Sequence, residues 1–474
     1  MRHVIVLGGG ACGLTAAYQL ARAGCEVTVL ERESRPGGLC GTHERSGFRF
    51  DFGGHRFLSR SPALEALVRE LVGGDLLLRR RSSAVLYRGR RFRYPLELDE
   101  VVRKAGFVDG ARALASYGAE RARQLVAPAP DLSFRDWVTH RFGRVLYDAF
   151  FGPYTEKLWG ISPSEISADW ASQRISLLSL GDVALRLFGL RRGGSRSYAR
   201  RYLYPRRGIG QIFERMAEET RALGGEVRLG AEVIGLSHSR GRVRRIAWRD
   251  GRGEHERACD AVISTVALPK VARMLGGRAL PREVERSADR LRFRGIRLCN
   301  VLLDGPEVSP HTWMYVSSPE YAIARIQEPR HRSPEMAPPG CTSLMLELPC
   351  DPGSQRWTAP EETIYEQSMD ELGRLGFSGL RARTREHFSS FVVEGYPIYH
   401  LDYRRDREKV LGFVGATENL VSCGRQGAFR YLFMDTAMEM GLAAADAILR
   451  GGRGDRISEL RSGGGLIEAK ALTA

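Results

Sequence analysis

The sequence has no CxxC pair, no HExxH and no other histidine or cysteine spacing that suits a metal ion. A metal site is therefore not expected. Eight cysteines are scattered as Cys12, Cys25, Cys40, Cys259, Cys299, Cys341, Cys350 and Cys423. In a chain of 474 residues this pattern reads as reduced, structural thiols and a cytoplasmic setting. No apolar run is long enough to span a membrane. Residues 4–21 are uncharged behind Arg2, as in a secretory signal, but "VIVLGGGACG" interrupts the run with four glycines. There is no internal repeat. No Ser-His-Asp or paired-carboxylate constellation is legible.

Acidic residues are scarcer than basic ones: 56 Asp and Glu against 72 Lys and Arg, for a net charge of +16. That balance bears on partners rather than fold. It leaves nucleic acid, an anionic membrane surface and phosphate-bearing small molecules open. Residues 79–93 hold seven arginines, and residues 183–213 hold eight with no acid. The second run reads either as a solvated loop or as a loop that closes over an anionic substrate, because guanidinium forks match phosphate. Tyr198, Tyr202 and Tyr204 stand among these arginines and could stack on bases. No recognised nucleic-acid motif accompanies them, so specific nucleic-acid recognition is not expected.

What is present is clearest at the start. Val4–Leu7 form a short β-rich run that suits a buried parallel strand. Gly8, Gly10 and Gly13 follow as GxGxxG: a tight turn, a close approach for a pyrophosphate, and room for a helix on its strand. A helix is predicted from about Ala11 to a stop at Gly24. "EVTVL" is the second strand, and Glu31 ends it eighteen residues after Gly13. A carboxylate there can accept both hydroxyls of an adenosine ribose. Two further glycine pairs, Gly37–Gly38 and Gly53–Gly54, extend the glycine-rich backbone, which suits a long cofactor lying along the chain.

The rest predicts an α/β protein of two or three domains. "AVLYRGRRFRYPLEL" reads as a hairpin turning at Arg88–Gly89. "SFRDWVTHRFGRVLYDAFF" has helical spacing with Ser133 as its cap. "RVRRIAWRDG" alternates as a half-exposed strand. Strands are expected at "IRLCNVLLD", "AIARIQE" and "TSLMLELP", with a helix over about 360–375. "KVLGFVGATENL" reads as a strand and turn, and "DTAMEMGLAAADAILR" as an amphipathic helix. The tail from Gly451 is rich in Gly, Ser and Ala and is expected to be disordered.

The amino-terminal pattern resembles the FAD-binding half of the amine-oxidase and protoporphyrinogen-oxidase superfamily. Within it, "YTEKLWG" (residues 154–160) is similar to a segment of UDP-galactopyranose mutases. "CGRQGAFRYLFMDTAM" and "EGYPIYH" resemble the terminal flavin segment of that family and the stretch before it. The resemblance implies an α/β fold: a three-layer Rossmann-like FAD domain from 1–60, 205–270 and 396–450, with a discontinuous mixed α+β substrate domain from 61–204 and 271–395. It implies FAD contacts from Gly8, Gly10, Gly13, Glu31, Arg32, Gly37, Gly38, Gly53, Gly54, Val233, Gly424, Arg425 and Met434. Tyr154, Trp159, Phe429 and Tyr431 would line the substrate pocket. His55, Arg174, Arg294, Arg325 and Tyr396 would serve the chemistry, the arginines as a diphosphate clamp.

Two reactions follow from the resemblance. One is net oxidoreduction at flavin N5 on an anionic small molecule such as a nucleotide-activated or phosphorylated sugar, with a separate electron donor or acceptor. The other is the mutases' own non-redox ring contraction, which needs reduced FAD. A third reading is oxidation or desaturation of an apolar substrate. Departures from the mutase pattern bear on the choice. Phe429 stands where the mutases carry a diphosphate-binding tyrosine, Phe433 where they carry an aspartate, and Leu58 where a second histidine follows His55. A phenyl ring cannot donate to phosphate, and losing such a bond costs roughly 1.5–3 kcal/mol. These changes make the pocket more apolar and leave FAD binding untouched.

Overall fold

The computed structural model describes residues 2–94, 107–174, 201–451 and 457. Most of the arginine-rich stretch 183–213, including Tyr198, and the tail apart from Gly451 and Ile457 lie outside the described residues.

A five-stranded parallel sheet sits at the centre of one half. Its order is Leu420–Ser422, Ala261–Ser264, His3–Leu7, Glu26–Glu31 and Glu226–Leu229. Three separated stretches of chain therefore build it. Val4, Ile5, Val6 and Leu7 are wholly buried, as a parallel strand covered on both faces must be. Ala11–Arg22 is the first helix, and Gly24 follows it at φ +77°. This helix packs against the carboxy-terminal helix Met434–Leu449. A Cβ on Gly441 would stand 2.3 Å from the Cys12 carbonyl oxygen, so the two backbones meet where only glycine fits.

A seven-stranded sheet forms the other half, in the order Thr384–Pro397, Phe293–Asp304, Cys341–Cys350, Arg325–Gln327, Trp313–Val316, Ser83–Tyr87 and Arg90–Arg93. Its neighbours are antiparallel except Trp313–Val316 and Ser83–Tyr87. Arg88 and Gly89 turn the hairpin at φ +49° and +72°, the left-handed pair a tight two-residue turn requires. A smaller antiparallel sheet, Glu232–Ser239, Arg242–Asp250 and Gly253–Ala258, includes the alternating strand.

Ser133 caps Phe134–Phe142 in a capping box with Asp136. A single π-turn over Tyr147–Phe151 then leads into Gly152–Trp159. One expectation is corrected. "KVLGFVG" is helical, within Tyr403–Gly415, and only Leu420–Ser422 is strand. The buried residues Tyr403, Asp406, Val410 and Val414 recur at helical spacing, and that period outweighs local β propensity. "AIARIQE" contributes only the three-residue strand Arg325–Gln327.

Candidate active site

The first glycine loop is held by its own backbone. Gly8 N–H donates to the Leu30 carbonyl at 2.8 Å, and Gly37 N–H to the Gly9 carbonyl at 2.7 Å. A Cβ on Gly13 would lie 2.0 Å from the Gly8 oxygen, and one on Gly38 3.1 Å from the Gly10 Cα. The second glycine pair thus packs onto the first. Glu31 is buried at the end of its strand, where Gly9 N–H (2.6 Å) and Glu33 N–H (2.8 Å) each donate to one carboxylate oxygen. Burial raises its pKa, and those two bonds oppose the rise.

From this loop a cavity of about 690 Å³ runs to the seven-stranded sheet. Gly8, Gly10, Glu31, Arg32, Gly37, Gly38 and Val233 line one end. Gly53, Gly54, His55, Gly424, Arg425, Tyr431 and Met434 line its course, and Trp313, Tyr315, Arg325, Gln327 and Tyr396 the far end. Gly13 lies beneath the loop rather than on the wall. Gly53 takes φ +132°, and a Cβ on Gly54 would press to 3.2 Å from the Trp313 ring. His55 Nδ1 is buried without a hydrogen-bond partner among the described residues. Burial, with Arg425, Arg332 and Arg325 nearby, pushes the imidazole down to about 3, so it is neutral at physiological pH. Arg425 donates to the Gly395 carbonyl at 3.2 Å and to the Leu432 carbonyl, and its guanidinium lies 4.7 Å from the Tyr431 ring. Cys40 also faces the cavity, and burial pushes its thiol up to about 12.

The far end is governed by a buried network that joins three expected residues, Tyr154, Arg325 and Tyr396, to Glu347, Gln327 and Arg332, which the sequence did not single out. Arg325 Nη1 donates to Glu347 Oε2 at 2.9 Å and reaches the Tyr396 hydroxyl at 3.3 Å; Nε reaches the Tyr154 hydroxyl at 3.4 Å. Gln327 donates to the other Glu347 oxygen at 2.5 Å, and Arg332 donates to Gln327. Tyr396 stacks on Tyr431 with centroids 5.7 Å apart. Glu347 is the one charged residue in Cys341–Cys350; a lone acid in an apolar strand was the available signal.

Other predicted residues stand apart from the cavity wall. Arg294 donates to the Leu158 and Pro349 carbonyls at 3.2 and 3.1 Å and pairs with Asp351 at 2.7 Å. Trp159 is 1% exposed and packs edge-on to Trp170, with Tyr396 5.7 Å away. Phe429 is fully buried against Phe293. Arg174 ends the helix Ala168–Arg174; its side chain lies outside the described residues. Within "YTEKLWG" the buried tie is Lys157. Its Nζ donates to the Val316, Ser318 and Ile323 carbonyls at 2.7, 2.7 and 3.2 Å. Burial lowers its pKa to about 8. The segment that carries Tyr154 is thereby fastened to the end of the strand Trp313–Val316 and to the loop that follows it.

A parallel sheet, a glycine loop beside a buried strand-end carboxylate, and a cavity lined by both further glycine pairs and by His55 fit an elongated dinucleotide, and together they define a dinucleotide-binding α/β enzyme. The profile described as "Flavin containing amine oxidoreductase" matches residues 11–449. The chain belongs to that family, and it is an FAD-dependent enzyme. Among curated proteins it is 27% identical over 448 residues to a phytoene dehydrogenase of Streptomyces griseus, covering 81% of each chain. It is also 27% identical over 175 residues to a probable UDP-galactopyranose mutase of Klebsiella pneumoniae, covering 35% of this chain and 43% of that one. A crystal structure of reduced UDP-galactopyranose mutase matches in fold with a TM-score of 0.83 at 22% identity, over 98% of this chain and 97% of that one.

Proposed function

We propose that the enzyme performs net oxidoreduction, removing hydride from a substrate whose reacting end is uncharged and largely apolar. The observation that carries this reading is the pairing of two arginines expected to clamp a diphosphate. Arg325 is bound to buried Glu347 at 2.9 Å, and Arg294 to Asp351 at 2.7 Å. A paired guanidinium has spent much of the attraction it would offer a phosphate. Phe429 and Phe433 add no donor.

FAD, when bound, supplies the two-electron acceptor. It would be held by the glycine loop, Glu31 and the Gly424–Arg425 segment. The chain's own residues then position the substrate. Tyr396 and Tyr431 form a flat wall, and Trp313 and Tyr315 close the end. His55 can exchange a hydrogen bond there without adding charge. The Arg325–Glu347 pair fixes the Tyr396 and Tyr154 hydroxyls, and Glu347 offsets the charge of Arg325.

A second reading, isomerisation of a nucleotide sugar, is favoured by the full-length fold likeness to the reduced mutase and by the convergence of Tyr154 and Tyr396 on Arg325. Anaerobic titration separates the two. The oxidised enzyme is offered a reduced tetrapyrrole and a polyene while the visible flavin band is followed. Bleaching by one of them is expected. No bleaching, together with UDP-sugar isomerisation by the dithionite-reduced enzyme alone, would overturn the redox reading.

A further inference from the structure

The three most exposed large hydrophobic residues of the described chain are neighbours in sequence: Val126 at 87%, Leu125 at 81% and Leu132 at 65%. They flank "APAP" at residues 127–130, which is exposed throughout. This ledge follows the helix Phe107–Val126. On that helix Leu114, Gly118, Arg121, Ala122 and Leu125 fall on one face and are all exposed.

The ledge is not a loose loop. Ala127 N–H donates to the Arg123 carbonyl at 2.8 Å, and Ala129 N–H to the Gln124 side chain at 3.1 Å. The Leu132 carbonyl accepts from Ala168 N–H at 3.1 Å. The backbone is thus pinned while its apolar side chains face water. Leaving such surface exposed costs about 25 cal/mol per Å², and contiguous exposed apolar patches mark interaction sites.

Charge selects the occupant. Asp131, the acid nearest the ledge, is turned inward onto His140 (2.7 Å) and Arg141 (2.6 Å). Glu120 is paired with Arg123 at 2.8 Å. Arg121, on the same face, has no ion partner among the described residues and is exposed. The whole chain carries +16. No helix among the described residues is long and apolar enough to cross a membrane. We propose that this ledge docks the enzyme onto the surface of an anionic lipid bilayer, with Leu125, Val126 and Leu132 entering the interface and Arg121 meeting lipid phosphate. Apolar insertion is thus combined with basic attraction, which an anionic surface rewards by about 1 kcal/mol per arginine. Docking through this ledge is independent of which substrate the flavin site takes.

The test is vesicle co-sedimentation of the full-length flavoprotein. Vesicles of phosphatidylcholine alone are compared with vesicles containing one-third phosphatidylglycerol. The wild type is expected to pellet with the anionic vesicles and to be released in part by high salt. L125D/V126D is expected to lower the bound fraction at least tenfold. Its flavin spectrum and melting temperature should be unchanged, because both side chains are in water. A wild type that stays in the supernatant overturns the proposal, as does a double variant that binds like wild type. A variant that changes only the sedimentation coefficient, with vesicle binding intact, would instead make this face a contact between two copies of the chain.

Discussion

Arg325 and Glu347 meet at 2.9 Å with their side chains 13% and 1% exposed, and the same guanidinium reaches the hydroxyls of Tyr396 and Tyr154. One ion pair therefore sets the geometry of that end of the cavity.

Removing its acid leaves a buried cation without compensation, a change that costs about 3–5 kcal/mol. Glu347→Gln is expected to lower stability by that order. The R325M/E347Q double variant should recover part of the loss. Denaturant unfolding of the wild type, both single variants and the double variant measures the coupling. If the double variant lost the sum of the two singles, the pair would not act as a unit.

His55 is held neutral, its pKa lowered from 6.5 to about 3. A base depressed in the folded state binds its proton more readily when unfolded. Stability therefore falls as pH drops below 6.5 and goes on falling to about 3. The slope from this one residue is at most about 1.4 kcal/mol per pH unit. His55→Gln should flatten the stability profile between pH 4 and 6.5. A variant profile parallel to the wild type would show that His55 is not the group responsible.

Gly13→Ala and Gly441→Ala each place a Cβ within 2.3 Å of a backbone oxygen, at Gly8 and Cys12 respectively. Both should yield protein with a lower flavin-to-protein absorbance ratio, although Gly441 is remote from the glycine loop in sequence. Full flavin occupancy in G441A would mean that the helix pair can separate without disturbing the loop.

Lys157 satisfies three carbonyls with one ammonium. Lys157→Met should cost roughly 2–4 kcal/mol, since buried acceptors lose charged donors. Lys157→Arg should not restore the loss, because a planar fork cannot match three converging carbonyls. Thermal melts of the two variants decide the point; an arginine variant as stable as wild type would refute the geometric argument.

Glu31→Gln turns an acceptor-only carboxylate into an amide that must face either Gly9 N–H or Glu33 N–H with its own N–H₂. FAD affinity should drop roughly 10- to 100-fold, the equivalent of one charged hydrogen bond. Fluorescence titration of the apoprotein with FAD gives the ratio, and unchanged affinity would remove Glu31 from the cofactor site.

The nucleotide half was legible because its signals are local. GxGxxG, a helix stop at Gly24 and an acid eighteen residues on are fixed by short-range geometry, and the structure reproduces the elements around them. "KVLGFVGATENL" reads as a strand from its β-branched residues, but Val410 and Val414 serve a helical burial period. The pairings at Arg294 and Arg325 were not legible, since Asp351 and Glu347 become partners only through the antiparallel register of strands far apart in sequence.

By itself the sequence determined a βαβ unit with the glycine spacing and strand-end acid that suit a dinucleotide, because glycine spacing and strand length act within about thirty residues. Only the tertiary structure decided which arginines remain available to a substrate. That depends on carboxylates brought in from distant strands, and a buried cation takes the nearest acid the fold supplies.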